Sequence, residues 1–144
     1  MNQKSSITNS LKMAISEHKE DLLNLARAAQ QNAYAPYSNF RVGAAVLLEN
    51  GNIFTGCNVE NASYGLTNCA ERSAIFAAVS KLGGANVKIR AVAVVNDHDA
   101  PCSPCGACRQ VIAEFGPEAI LWYQGRNGIQ QSTMEHLLPD CFRF

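Results

Sequence analysis

Cys105 and Cys108 stand three residues apart, so a helix or tight turn holds their sulfurs on one face, within reach of one ion. Alone, such a pair reads as a redox couple, as half of a structural zinc site, or as two buried thiols. Cys69 changes the reading, because it opens one expected helix as Cys105 opens another. The positive end of a helix dipole lowers a thiol's pKa and favours the thiolate, the form that ligates metal. Two such helices, packed side by side, bring three thiolates to one point. Zinc takes a tetrahedron of ligands; structural sites close all four positions with protein, and catalytic sites leave one for water. Cys69, Cys105 and Cys108 leave one open. Cys102, between Pro101 and Pro104, is the rival fourth ligand that would make the site structural. Glu71 argues against that rival, which leaves it without a role. Two residues after Cys69, it is either a first-turn glutamate favoured by the dipole or a non-ligating general acid and base beside the metal's water. Next to Pro104-Cys105-x-x-Cys108, the second reading is the expectation.

The elements that must position these residues are marked along the chain. Residues 17–33 have an apolar pattern of Leu22, Leu25, Ala26, Ala29 and Ala33, with Ser16 as N-cap and Pro36 ending the helix. Strands over 41–48 and 52–57 flank Glu49-Asn50-Gly51, a hairpin signal. Residues 58–68 lack a period and read as a loop. A helix over 69–81, with Ala70, Ala74, Ala77 and Ala78 on one face, stops at Gly83-Gly84. A strand over 87–95, a loop over 97–104 and a helix over 106–115 follow. Strands over 119–123 and 128–132 and a short helix over 133–138 complete the series. Strands alternating with helices after an opening β-hairpin predict an α/β fold with a mixed sheet covered by helices. Residues 1–16 are expected to be a mobile N-terminal extension and 17–144 a single domain.

Composition narrows the partners. Twelve basic residues balance twelve acidic ones, so the basic excess of a nucleic-acid binder is missing and a small substrate is expected. No apolar stretch approaches the roughly 18 residues of a membrane span, and no secretory pattern precedes residue 16. The expected compartment is the cytoplasm, where six cysteines stay reduced and serve metal or catalysis in preference to disulfides.

The motifs resemble a known family. A Cys or His, then x-Glu, then Pro-Cys-x-x-Cys is the zinc deaminase signature. Cys69-Ala70-Glu71-Arg72, Ser103-Pro104-Cys105-Gly106-Ala107-Cys108-Arg109-Gln110, Asn58-Val59-Glu60-Asn61-Ala62 and Ala35-Pro36-Tyr37-Ser38-x-Phe40-x-Val42-Gly43-Ala44 are similar to the short, homotetrameric, free-nucleoside cytidine deaminases. The similarity runs from about residue 20 to the C-terminus, so the first fifteen or so residues look like an added extension. The resemblance implies a three-layer fold, a mixed five-stranded sheet with helices on both faces. It also implies one zinc per subunit and hydrolytic deamination of cytidine and deoxycytidine in pyrimidine salvage.

Site residues carry over position by position. Cys69, Cys105 and Cys108 would ligate zinc, and Glu71 would move protons from the attacking water to N3 and to the departing amine. Three thiolates overcompensate the metal's charge, and Arg72 matches an arginine that bonds the ligating sulfurs; otherwise it is a surface ion pair. Asn58 and Glu60 match a pair that binds the ribose hydroxyls, and Glu60 as an acceptor suits a nucleoside over a nucleotide. Phe40 matches an aromatic packed on the pyrimidine, and Ala70 supplies backbone contacts to the base. Tyr64 matches a residue from a neighbouring subunit, and Phe142 one that closes the pocket. The plain alternatives are a hairpin core residue for Phe40, a loop anchor for Tyr64 and tail packing for Phe142. His18, His98 and His136 are expected to be surface or capping residues, and Cys57, Cys102 and Cys141 non-ligands. The rivals in function are a deaminase for a modified pyrimidine nucleoside and a structural zinc module with four protein ligands.

Overall fold

A computed structural model describes residues 15–144. The expected mobile extension over 1–16 lies, save for its last two residues, outside the described residues; Ile15 is buried in a cluster with Leu22, Leu23 and Ala26.

Helix α1 (Lys19–Gln30) starts after His18, two residues later than a Ser16 cap implies, with Glu20 and Asp21 in its first turn and Arg27 in its last, signs that suit the dipole. Its buried stripe is Leu22, Leu23, Ala26 and Gln30, which puts Leu25 outside. The helix also ends well before Pro36. The cause is non-local: Tyr34 N donates to Asn58 O at 3.0 Å and its carbonyl accepts from Glu60 N at 2.8 Å, drawing the chain off the helix axis.

Strands β1 (Val42–Leu48) and β2 (Ile53–Cys57) form the expected hairpin, with Gly51 at φ 86° in its turn. β3 (Ile89–Asn96) pairs antiparallel with β1 on its other side. β4 (Ile120–Gly125) lies parallel to β3, so α3 (Gly106–Phe115) is the crossover such a pair needs. β5 (Gly128–Thr133) closes the sheet antiparallel, in the order β2-β1-β3-β4-β5. Helix α2 (Ala70–Leu82) lies between β2 and β3 in the chain, and α4 (Met134–Leu137) follows β5.

β1 shows the layering. Ala44, Val46 and Leu48 pack with Ala70, Ala74, Ile75 and Ile112 on one face, while Ala45 and Leu47 pack with Leu22, Leu23 and Ala26 on the other. Strand period two thus feeds two cores, and the sheet is covered by α1 on one side and by α2 and α3 on the other. This is the mixed five-stranded, helix-covered sheet expected. Ala77 departs from the expected α2 face and is exposed.

One close approach sets where α2 begins. A Cβ at Gly56 in β2 would lie 2.6 Å from Ala70 O and 2.9 Å from Ser73 Cβ, so the first turn of α2 rests directly on the strand backbone. The 58–68 segment is more ordered than a loop reading implies: Val59 bridges both Tyr34 and Asn68, and Tyr64–Leu66 form a 3-10 turn. The Val59–Asn68 bridge sets the 58–60 segment beside Cys69. Among the described residues no helix is long and apolar enough to cross a membrane.

Candidate metal and catalytic site

Cys69 is the N-cap of α2 and Cys105 the N-cap of α3, both in extended conformation. Cys105 Sγ accepts from Cys108 N at 3.5 Å, the bond a Ser or Asp cap usually makes. Capping a helix with sulfur places the thiolate at the positive end of the dipole. Cys108, one turn into α3, is fully buried. Together Cys69, Cys105 and Cys108 put three Sγ atoms within 4.8 Å of one another. The Cys69–Cys105 sulfur separation is 3.8 Å. A tetrahedral zinc with bonds of about 2.3 Å holds its sulfurs about 3.8 Å apart, so the donors fit that ion in both chemistry and spacing.

The hydrogen bond between Cys69 and Cys108 favours the thiolate at Cys69 and, with burial, the thiol at Cys108. Cys69 is lowered to about 5, first by its hydrogen bond with Cys108 and then by Arg72, whose Nη2 sits 3.4 Å from Cys69 Sγ. Arg72 Nε is buried without a partner, so the cation is held by its sulfur contact and helix packing. Cys102 is half-buried and outside the group of three, and burial, followed by the charges of Glu71, Cys69 and Cys105, pushes its thiol up. Glu71 is 4% exposed on the buried side of the first turn of α2. Burial raises its pKa to about 7, and the Cys69 charge adds to that. A carboxyl poised near neutrality can both accept and return a proton.

The other candidates occupy distinct positions. Ala70 is fully buried at the start of α2. Asn58 is buried; its Oδ1 accepts from Val42 N and its Nδ2 donates to Phe40 O, both at 2.8 Å, so its amide brackets the start of β1. Glu60 accepts from Tyr37 N at 2.8 Å, from Ser38 N and from the Ser38 hydroxyl. The Ser38 hydroxyl bond, ahead of those backbone donors, holds the Glu60 carboxyl below its usual range. Phe40 is half-buried at the end of this bracketed segment and lies against the core. Tyr64, 78% exposed, meets the edge of the Tyr37 ring. Phe142 is exposed, its carbonyl accepting from Gln110 Nε2 at 3.2 Å and its ring edge-on to Phe144.

Two residues carry more than their sequence reading assigns. Arg109 donates to Pro104 O at 2.7 Å, Leu137 O at 2.8 Å and Ser103 Oγ at 3.0 Å, clamping the turn that delivers Cys105. The signal was available, since an arginine near a helix N-terminus has the wrong sign for the dipole and needs another reason to be there. His98, expected as a surface or capping residue, is exposed and also stacks on Phe40.

Residues 16–124 match the model of the cytidine and deoxycytidylate deaminase zinc-binding region. The chain belongs to that family. A cytidine deaminase of Sporosarcina psychrophila is 49% identical over 125 residues, covering 85% of this chain and 90% of that one. A cytidine deaminase of Halalkalibacterium halodurans is 48% identical over 126 residues, covering 86% and 93%. The crystal structure of the cytidine deaminase from Burkholderia pseudomallei superposes with a TM-score of 0.78 at 46% identity, covering 85% of this chain and 98% of that one. Within a zinc-binding family, three converging thiols make zinc the resident metal of this deaminase, one per chain.

Proposed function

We propose that the chain is a cytidine deaminase converting cytidine and deoxycytidine, with water, to uridine and deoxyuridine plus ammonia, in pyrimidine salvage. What supports this most is the convergence of three sulfurs within 4.8 Å beside a carboxyl that is 4% exposed. Cys69, Cys105 and Cys108 hold zinc, which when bound supplies the Lewis acidity that brings water's pKa from about 15.7 toward 7. Arg72 offsets the excess negative charge of three thiolates through its bond to Cys69.

Glu71 takes the proton of the attacking water and delivers one to N3 of the ring, which makes C4 electrophilic. It then takes the proton of the C4 hydroxyl and passes it to the amine, which leaves as ammonia while C4 becomes a carbonyl. Its burial keeps it close enough to neutral pH for both directions. Phe40 packs on the pyrimidine and Ala70 offers its backbone to the base edge. Asn58 and Glu60 bind the ribose hydroxyls with the hydrogen-bonding capacity their own loops leave over. Glu60 stays ionised, which favours a nucleoside over a nucleotide.

Tyr34, Tyr37, Val59, Tyr64 and Leu66 are exposed along neighbouring segments, a large apolar surface for a lone chain. It suits a homotetramer in which Tyr64 completes a neighbour's pocket and Phe142 closes its own. The six free cysteines suit the reducing cytoplasm. The test is the ultraviolet shift from cytidine to uridine. No shift at high protein concentration, with zinc measured at one per chain, refutes the proposal and leaves a structural zinc module.

A further inference from the structure

Phe40 has a stacking partner. The His98 imidazole lies over its ring with centroids 5.2 Å apart and planes inclined by 13°, an offset stack of the favoured kind. His98 leaves 52% of its side-chain surface in solvent, so burial does not set its plane. Hydrogen bonds do. Its Nδ1 lies 2.8 Å from Asp97 Oδ1, and its backbone N donates to Asn96 Oδ1 at 3.0 Å. Asn96 is buried and also binds Ala100 through both N and O, which fixes the turn that carries His98. Asp97 is held in turn by Arg41, which donates to it from N and from Nε, each at 3.0 Å. Arg41 follows Phe40 in the chain, so the contacts close a ring: Phe40, Arg41, Asp97, His98 and back to Phe40.

The geometry points to His98 as a positioning residue for deamination, which, tied to Asp97 and Arg41, fixes the plane of Phe40 before the pyrimidine arrives. This rests on the role given above to Phe40. A ring already in its bound rotamer loses little freedom when substrate packs against it, so the benefit is to binding. Because the pyrimidine keeps this contact through the reaction, the effect falls on KM and leaves kcat nearly unchanged.

The experiment compares His98→Ala, His98→Phe, His98→Gln and Phe40→Ala by KM and kcat for cytidine, with zinc content and Tm measured on each. His98→Ala is expected to raise KM about 2- to 10-fold with kcat little changed. His98→Phe keeps a ring over Phe40 but loses the Asp97 tie that sets its plane, so it recovers only part of that loss, whereas His98→Gln keeps a polar partner for Asp97 without a ring and recovers none. The phenylalanine and glutamine variants decide the matter if the alanine variant fails to fold. A raised KM in Phe40→Ala beside an unchanged KM in His98→Ala overturns this inference alone. An unchanged KM in Phe40→Ala overturns the assignment of Phe40 and this inference with it. A fall in kcat without a change in KM for His98→Ala also overturns it.

Discussion

Gly56→Ala tests whether the register of α2 on the sheet sets the chemistry. The added methyl would meet Ala74 N first and then Ala70 O, the latter at 2.6 Å against 3.4 Å for an ordinary contact, so the N-terminal half of α2 must retreat by more than about 0.8 Å. Ser73 Cβ, at 2.9 Å, blocks a sideways escape. Overpacking of this kind costs about 1–3 kcal/mol, which for a domain of this length lowers Tm by roughly 3–12 °C. The first turn of α2 carries Glu71 and Arg72, and Cys69 caps it. A displacement near 1 Å can reduce catalysis on the order of 100-fold. The expected result is a loss of roughly 10- to 100-fold in kcat/KM for cytidine, with zinc near one per chain because flexible thiols can follow the metal. Thermal melts, metal analysis and steady-state kinetics on one preparation make the test. A lowered Tm with full kcat/KM would refute the link between α2 register and turnover. Unchanged Tm and kcat/KM together would refute the close approach itself.

Glu71→Gln should keep zinc near one per chain and lose roughly 100- to 10 000-fold in kcat, the range for a positioned proton carrier; near-normal turnover removes Glu71 from the mechanism. Zinc transfer to a competing chelator should be slow near neutral pH and accelerate as the pH falls, because Cys69, Cys105 and Cys108 must be ionised to ligate and protonation opposes the metal. Transfer that does not depend on pH would count against these cysteines as ligands. Asn58→Ala strands Val42 N and the Phe40 carbonyl in a buried setting and should lower unfolding free energy by about 1–3 kcal/mol in urea titrations; a loss of affinity without loss of stability would assign Asn58 to substrate alone.

The metal site was legible from sequence because its signals are local. Cys-x-x-Cys and Cys-x-Glu put their chemistry within one helical turn, and the helix starts follow from nearby residues. What escaped depends on partners far along the chain. Ala33 continues the apolar pattern of α1, yet the helix ends at Gln30 because Tyr34 pairs with residues 58 and 60. Glu60 reads as a free acceptor until Tyr37 and Ser38 are seen to occupy it. His98 reads as a solvated turn residue, because nothing in its neighbours announces Phe40, which belongs to another strand end. The order of strands likewise depends on one parallel crossover that no short pattern encodes.

Cys69 and Cys105 are 36 residues apart, and the segment between them contains all of α2 and β3. Their sulfurs meet where both helices rest on one face of the sheet, with β3 paired to β1 in the span between them. Zinc bound across that span is a clasp as well as a cofactor. It closes a long loop whose entropy otherwise favours opening. A chain with a misplaced central strand would leave its cysteines scattered, so metal loading doubles as a readout of correct folding.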